Sequence, residues 1–175
     1  HRTGAVGARQ RPAMTRLADP RLIIPLDVPT RADAEGLVER LGDSVSHYKI
    51  GLQLLATGGM ALAKDLKIRG RQVFLDWKLH DIGETVRRAA AVLGGAGGDF
   101  LTVHGEPQVM ASAVRGRGAS SLKVLAVTVL TSLADEDLPE IGYAEPLRAL
   151  VERRIHQAVA AGCDGVIVSP REAAL

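Results

Sequence analysis

From Leu22 onward, short apolar runs alternate with stretches in which apolar residues recur every three or four positions. The runs predict strands over Leu22–Leu26, Val45–Ile50, Gln72–Leu75, Phe100–Val103, Leu122–Val127 and Gly165–Val168. The helical spacing predicts helices over Ala32–Leu41, Leu52–Lys67, Ile82–Leu93, Pro107–Val114 and Pro146–Ala161. Strands joined through helices run parallel, because a parallel pair needs a long crossover and a hairpin cannot supply one.

Two parallel architectures fit such a repeat, the doubly wound open sheet and the closed barrel. An open sheet built for nucleotides carries Gly-x-Gly-x-x-Gly after its first strand, whereas Leu26-Asp27-Val28-Pro29-Thr30 stands there. Polar residues instead mark the C-terminal ends of nearly all the strands: Asp27, Lys49, Asp76 with Lys78, His104, Thr131 and Ser169. In a barrel these ends converge on one mouth. The expected fold is therefore α/β, a (β/α)8 TIM barrel. Only six βα units are legible, against the eight strands and roughly 250 residues of a closed barrel. Strands seven and eight, with the phosphate-binding loops that barrels often place after them, are expected to be missing from these 175 residues.

Composition agrees with a globular chain: 46% hydrophobic, 24% charged and 3% aromatic, so the core is expected to consist of Leu, Val, Ile and Ala. A nucleic-acid platform of stacked aromatics is disfavoured. Arg2, Arg9, Arg11 and Arg16 against Asp19 account for the basic pI, since residues 21–175 hold 18 basic and 19 acidic groups. A broad polyanion-binding face is not expected. Residues 1–20 are expected to form a flexible extension, with Met14 as the natural start, and residues 21–175 the partial barrel. No apolar run approaches the ~20 residues of a membrane span, and no signal-peptide core is present at the N-terminus, so a cytoplasmic location is expected. Cys163 stands alone, which excludes an internal disulfide and favours a small buried residue over a reactive thiol.

The chemistry-bearing segment is Asp76-Trp77-Lys78-Leu79-His80-Asp81. Strand alternation lets Asp76 and Lys78 face one mouth, with Trp77 pointing away. Asp81 and Thr85 lie one helical turn apart on the following helix. Asp81 with Glu84 also resembles a capping arrangement, and Asp-x-Lys alone also reads as a structural ion pair. Asp27 and Lys49 tip the balance by adding an acid and a base to the same mouth. Gly94-Gly95-Ala96-Gly97-Gly98 follows a helix and precedes a strand, which makes it a C-cap and turn at the opposite end and not a phosphate loop. His104 and His80 each sit near acids, yet neither forms a convincing ligand set.

Phe74-Leu75-Asp76-Trp77-Lys78-Leu79-His80-Asp81-Ile82-Gly83-Glu84-Thr85 resembles the signature of the orotidine 5'-monophosphate decarboxylases. Leu26-Asp27, Tyr48-Lys49-Ile50-Gly51, Val103-His104 and Ala126-Val127-Thr128-Val129-Leu130-Thr131-Ser132 match the same family in order. The resemblance implies a cofactor-free decarboxylation of orotidine 5'-monophosphate to UMP in pyrimidine biosynthesis, by a homodimer with shared active sites. It implies that Lys49, Asp76, Lys78 and Asp81 form an alternating charge array, with Asp81 and Thr85 donated by a partner copy. Asp27 and Lys49 would hold ribose hydroxyls and Thr131 would lie near the pyrimidine. Lys78 would stabilise a localised carbanion at C6 and protonate it. Gly83-Glu84 departs from the family's common Pro-Asn, Trp77 replaces an aliphatic residue, and the family's C-terminal phosphate-gripping Arg and Gln find no counterpart.

Three alternatives remain at this stage. A related magnesium-dependent phosphosugar decarboxylase or aldolase shares Asp-x-Lys-x-x-Asp, but Lys49 stands where a metal-binding Glu is expected. A Schiff-base aldolase would use Lys78 as an amine nucleophile. A fragment without catalytic competence is the third, because six strands leave two sheet edges open.

Overall fold

The computed structural model describes residues 18–173. Of the expected N-terminal extension, residues 1–20, the first seventeen, with Met14, lie outside them. Six parallel strands form one sheet in sequential order: β1 (Ile24–Pro25), β2 (His47–Gly51), β3 (Gln72–Leu79), β4 (Phe100–His104), β5 (Lys123–Val127) and β6 (Gly165–Ile167). The helices are α1 (Arg31–Leu41), α2 (Leu52–Leu55), α3 (Gly59–Ile68), α4 (Gly83–Gly95), α5 (Pro107–Arg117) and α6 (Leu147–Ala161). A strand order without reversal has no topological switch point, and this separates a barrel-type sheet from the doubly wound alternative. The sheet curls into part of a barrel, with six of the eight βα units of the expected fold.

The predicted element boundaries shift where backbone chemistry overrides apolar pattern. β1 covers two residues where five are expected, because Pro25 has no N–H to donate; the ladder resumes at Leu26 N–H, 2.9 Å from the Lys49 carbonyl. The single helix expected over Leu52–Lys67 is two, α2 and α3. The chain turns between them through Gly58 at φ 104°, and a Cβ on Gly59 would lie 2.8 Å from the Leu54 carbonyl oxygen. β3 runs four residues beyond its predicted end, to Leu79. α4 continues through Gly94 and Gly95 before Gly97 turns the chain at φ 84°, which makes the glycine run a helix end.

Helix starts follow local chemistry as well. Thr30 Oγ1 accepts the Asp33 N–H at 3.2 Å and caps α1, while Pro107 opens α5 where its missing N–H costs nothing. The core is aliphatic as its composition predicts. Leu26, Ile50, Leu75, Leu101 and Val124 from the sheet are buried against Val38, Leu66, Ala90 and Ala113 from the helices, with Tyr48 and Trp77 among its few aromatics. Cys163 is half-buried, not fully buried, and burial followed by the neighbouring Asp164 pushes its thiol up to about 11. A thiol raised in this way fits a packing role.

The floor of the sheet carries the same clamp twice. Asp99 donates its N–H to the Val73 carbonyl (3.0 Å) and accepts the Val73 N–H on Oδ2 (2.7 Å), and Lys67 from α3 neutralises it at 2.7 Å. Asp164 does the same with Val124 (2.9 and 2.8 Å), paired with Arg117 from α5. Each clamp joins a strand to its neighbour and to a helix, fixing the register at the end opposite the mouth. Asp99→Ala leaves the Val73 N–H and the Lys67 ammonium without their partner. Chemical denaturation is expected to show a loss of roughly 1–3 kcal/mol. A loss as small as that of an exposed substitution would contradict the clamp.

Candidate active site

The C-terminal halves of β2 and β3 and the residues after β1 bring four of the expected residues into one chain of contacts. Asp76 sits at the centre, its side chain 14% exposed. Lys78 Nζ lies 2.8 Å from its Oδ1 and Lys49 Nζ 3.1 Å from its Oδ2. Lys49 also reaches Asp27 Oδ2 at 3.7 Å, and Gly51 leaves room for that carboxylate, since a Cβ there would stand only 3.1 Å from Asp27 Oδ1. The result is an alternating chain Asp27, Lys49, Asp76, Lys78 across one rim. Burial pushes the Asp76 carboxyl up, and hydrogen bonds from Lys78, Lys49 and Thr102 together outweigh it, holding the group below its usual 3.8.

The route to this geometry differs from simple strand alternation. Leu75 pairs with Leu101 and Leu79 with Val103, so β3 fits four residues against two of β4, and Lys78 adopts φ 46°. Left-handed backbone in a residue with a side chain is uncommon and clusters at functional sites. Trp77 turns into the hydrophobic core, while Asp76 and Lys78 keep their charged ends at the rim.

Asp81 and Thr85 stand apart from this chain and are exposed. Asp81 accepts only the Ile82 N–H (2.6 Å) among the described residues, and Ile82 beside it is 70% exposed. The capping alternative fails: the N-cap of α4 is Ile82, without a side-chain cap, and Glu84 instead binds Arg87 and Arg88. Those two guanidiniums, Arg87 first, hold the Glu84 carboxyl down to about 2. The extra charge that Glu84 brings is thereby locally neutralised. Gly83 packs closely on α5, since a Cβ there would lie 2.7 Å from Ser112 Oγ and the serine side chain would have to turn away.

Thr131 is exposed on the loop after β5 and makes no contact with the charge chain. It lines a cavity of about 550 Å³ shared with Leu130, Ser169 and Glu172. A neighbouring cavity of about 220 Å³ is lined by His104, Glu106, Thr128, Tyr143 and Arg154. Here His80 stacks on His104 at 4.6 Å and sits 3.7 Å from Glu106, and one ligand atom from each of the three lies within 4.8 Å of the others. Arg154 already supplies the positive charge to Glu106 at 3.1 Å, and it also binds the Tyr143 hydroxyl. Burial pushes the Glu106 carboxyl up, and the charge of Arg154, with a backbone hydrogen bond and His80 beside it, holds it below its usual value.

Thr102, Glu106 and Arg154 are functional neighbours that the sequence reading passes over. Two had a signal. Thr102 interrupts an apolar strand, where a buried hydroxyl must find a partner. Arg154 occupies the apolar stripe of α6 between Leu150 and Ala158, each four residues away.

The profile of the Orotidine 5'-phosphate decarboxylase / HUMPS family matches residues 20–175. A curated relative from Caulobacter vibrioides, "Orotidine 5'-phosphate decarboxylase", is 67% identical over 158 residues, 90% of this chain and 68% of the relative. The chain belongs to this family. A relative of the same name from Rhodopseudomonas palustris is 53% identical over 161 residues, again covering 90% of this chain and 68% of its own length. The crystal structure of "Orotidine 5'-phosphate decarboxylase from Lactobacillus acidophilus" superposes with a TM-score of 0.80 at 36% identity, covering 86% of this chain and 72% of that one. An uncharacterized conserved protein from Geobacillus kaustophilus superposes with a TM-score of 0.81 at 34% identity, over 87% of this chain and 75% of that one.

Within this family member, the Arg154 cluster forms one wall of the mouth. Arg154 is 7% exposed, so removing it strands Glu106 as a partly buried carboxylate. Arg154→Met is expected to cost roughly 3 kcal/mol. Adding Glu106→Gln is expected to recover part of it in a double-mutant cycle followed by urea unfolding. Strict additivity of the two changes would show that the pair does not interact.

Proposed function

We propose that this chain catalyses the decarboxylation of orotidine 5'-monophosphate to UMP in pyrimidine biosynthesis. The observation that carries the reading is the alternating Asp27, Lys49, Asp76, Lys78 chain at the mouth of the sheet, in a chain 67% identical to a named decarboxylase.

The chemistry accounts for the charges. When the C6–carboxylate bond breaks, CO₂ departs and the electron pair stays on C6 in an orbital that no neighbouring carbonyl delocalises. Fixed cations stabilise such localised charge with little reorganisation. Lys78 is the cation placed for it, and its ammonium proton then moves to C6 to give UMP. Asp76 orients Lys78 through the 2.8 Å contact and repels the substrate carboxylate until it leaves as neutral CO₂. Lys49 keeps Asp76 charged from the other side, and Asp27 with Lys49 binds the ribose hydroxyls. Thr131 lies toward the pyrimidine. The scheme calls on no metal or organic cofactor.

The reading extends to a homodimer in which Asp81 and Thr85 of one copy complete the array of the other. Its support is that both residues are exposed beside the large apolar Ile82, and that Asp81 has no partner side chain among the described residues. No described helix is long and apolar enough to cross a membrane, and a metabolic enzyme of this kind belongs in the cytoplasm.

Lys49 at β2 disfavours the magnesium-dependent alternative, since an ammonium repels a divalent ion. Turnover, followed by the loss of absorbance as substrate becomes UMP, is expected to fall roughly 10³-fold or more in Lys78→Ala. Wild-type rates in that variant would remove Lys78 from the chemistry, and trapping of a substrate adduct on Lys78 by borohydride would favour the Schiff-base reading.

A further inference from the structure

We propose that Thr102 is a positioning residue of this site, the splint that holds Lys78 and Asp76 in their working geometry; the inference rests on the catalytic reading of those two residues. Thr102 is fully buried in the middle of β4. Its Oγ1 accepts the backbone N–H of Lys78 at 3.0 Å and donates to Asp76 Oδ1 at 3.0 Å. One hydroxyl therefore touches both members of the Asp-x-Lys pair.

The need for it comes from the irregularity in β3. Between Leu75 and Leu79 the β3–β4 register slips, and Lys78 takes φ 46°. A residue in that conformation cannot present its N–H to the regular ladder, and an unpaired buried N–H is costly. Thr102 Oγ1 replaces the missing backbone acceptor. Because the oxygen accepts from nitrogen, its single proton is directed onto the carboxylate, and the two bonds polarise in the same sense. The oxygen that receives it, Asp76 Oδ1, is the one that binds Lys78 Nζ. Thr102 thus fixes the backbone from which the Lys78 side chain springs and the carboxylate against which its ammonium rests.

No other side chain is hydrogen-bonded both to the Lys78 backbone and to Asp76 among the described residues. Thr102 makes neither bond through its methyl, so valine matches its shape and removes both, while serine keeps both. This distinguishes positioning from packing.

Amide hydrogen exchange and steady-state kinetics on Thr102→Val and Thr102→Ser test the assignment. In the valine variant the Lys78 amide is expected to lose protection at least tenfold while Leu101 and Val103 keep theirs. Turnover is expected to fall roughly ten- to a hundredfold with little change in KM, because a misplaced reacting group costs rate more than binding. Serine is expected to restore both. Unchanged Lys78 protection, or full turnover in the valine variant, would overturn the proposal. Should valine prevent folding, the Thr102 rotamer in the unsubstituted protein decides, read from three-bond couplings: the hydroxyl toward Asp76 supports the splint, the methyl toward Asp76 overturns it. Full activity in Lys78→Ala would refute the catalytic reading alone, since the exchange and rotamer results stand apart from turnover.

Discussion

A carboxylate withdrawn from water carries a desolvation cost of several kcal/mol unless opposite charge and hydrogen bonds replace the lost solvent. Asp76 meets that condition on three sides, with Lys78 on one oxygen, Lys49 on the other and the Thr102 hydroxyl beside Lys78. β2 contributes Lys49, β3 both Asp76 and Lys78, and β4 Thr102, while Asp27 follows β1. The sequential parallel order of the sheet is what brings residues of four neighbouring βα units together, so the site and the topology are one construction. The charged Asp76 contributes stability that is fully present above its usual 3.8 and is lost as pH falls through its lowered value.

The site also concentrates local strain. Lys78 is the one described residue other than glycine with positive φ, and it sits where β3 gains residues against β4. A regular strand would alternate Asp76 and Lys78 to one face, with Trp77 on the other. At the slip Lys78 lies against Asp76, Trp77 packs in the core, and the buried Thr102 takes up the Lys78 N–H. At the opposite end, the paired Asp99 and Asp164 clamps hold the register rigid, so the irregularity is confined to the mouth.

Much of this was legible in the residues. Apolar periodicity marks all six strands and the helices between them, and the polar residues closing those strands point to a barrel mouth. Lys49 and Asp27, which join Asp76 and Lys78 in one chain of charges, were readable because they stand at equivalent places on neighbouring strands. What was not legible depends on three-dimensional backbone detail. The break between α2 and α3 turns on Gly58, which a helical pattern tolerates on paper. The slip in β3 leaves no mark in a sequence that alternates normally. Arg154 looks like one more charge on a charged helix until its apolar neighbours Leu150 and Ala158 show which face it shares. Asp81 reads equally as a cap or as a functional acid, and the structure removes only the cap, since Ile82 opens α4 without a side-chain bond.

The account stands or falls on Asp76 remaining ionised in its buried position because two lysines flank it. Titration of its side-chain carboxyl by carbon NMR measures this directly. The midpoint is expected below 3.8 and is expected to rise when Lys49 is replaced by methionine. A midpoint at or above 3.8 in the unsubstituted protein, insensitive to Lys49, would mean that burial outweighs the lysines and that the charge array is not what organises the site.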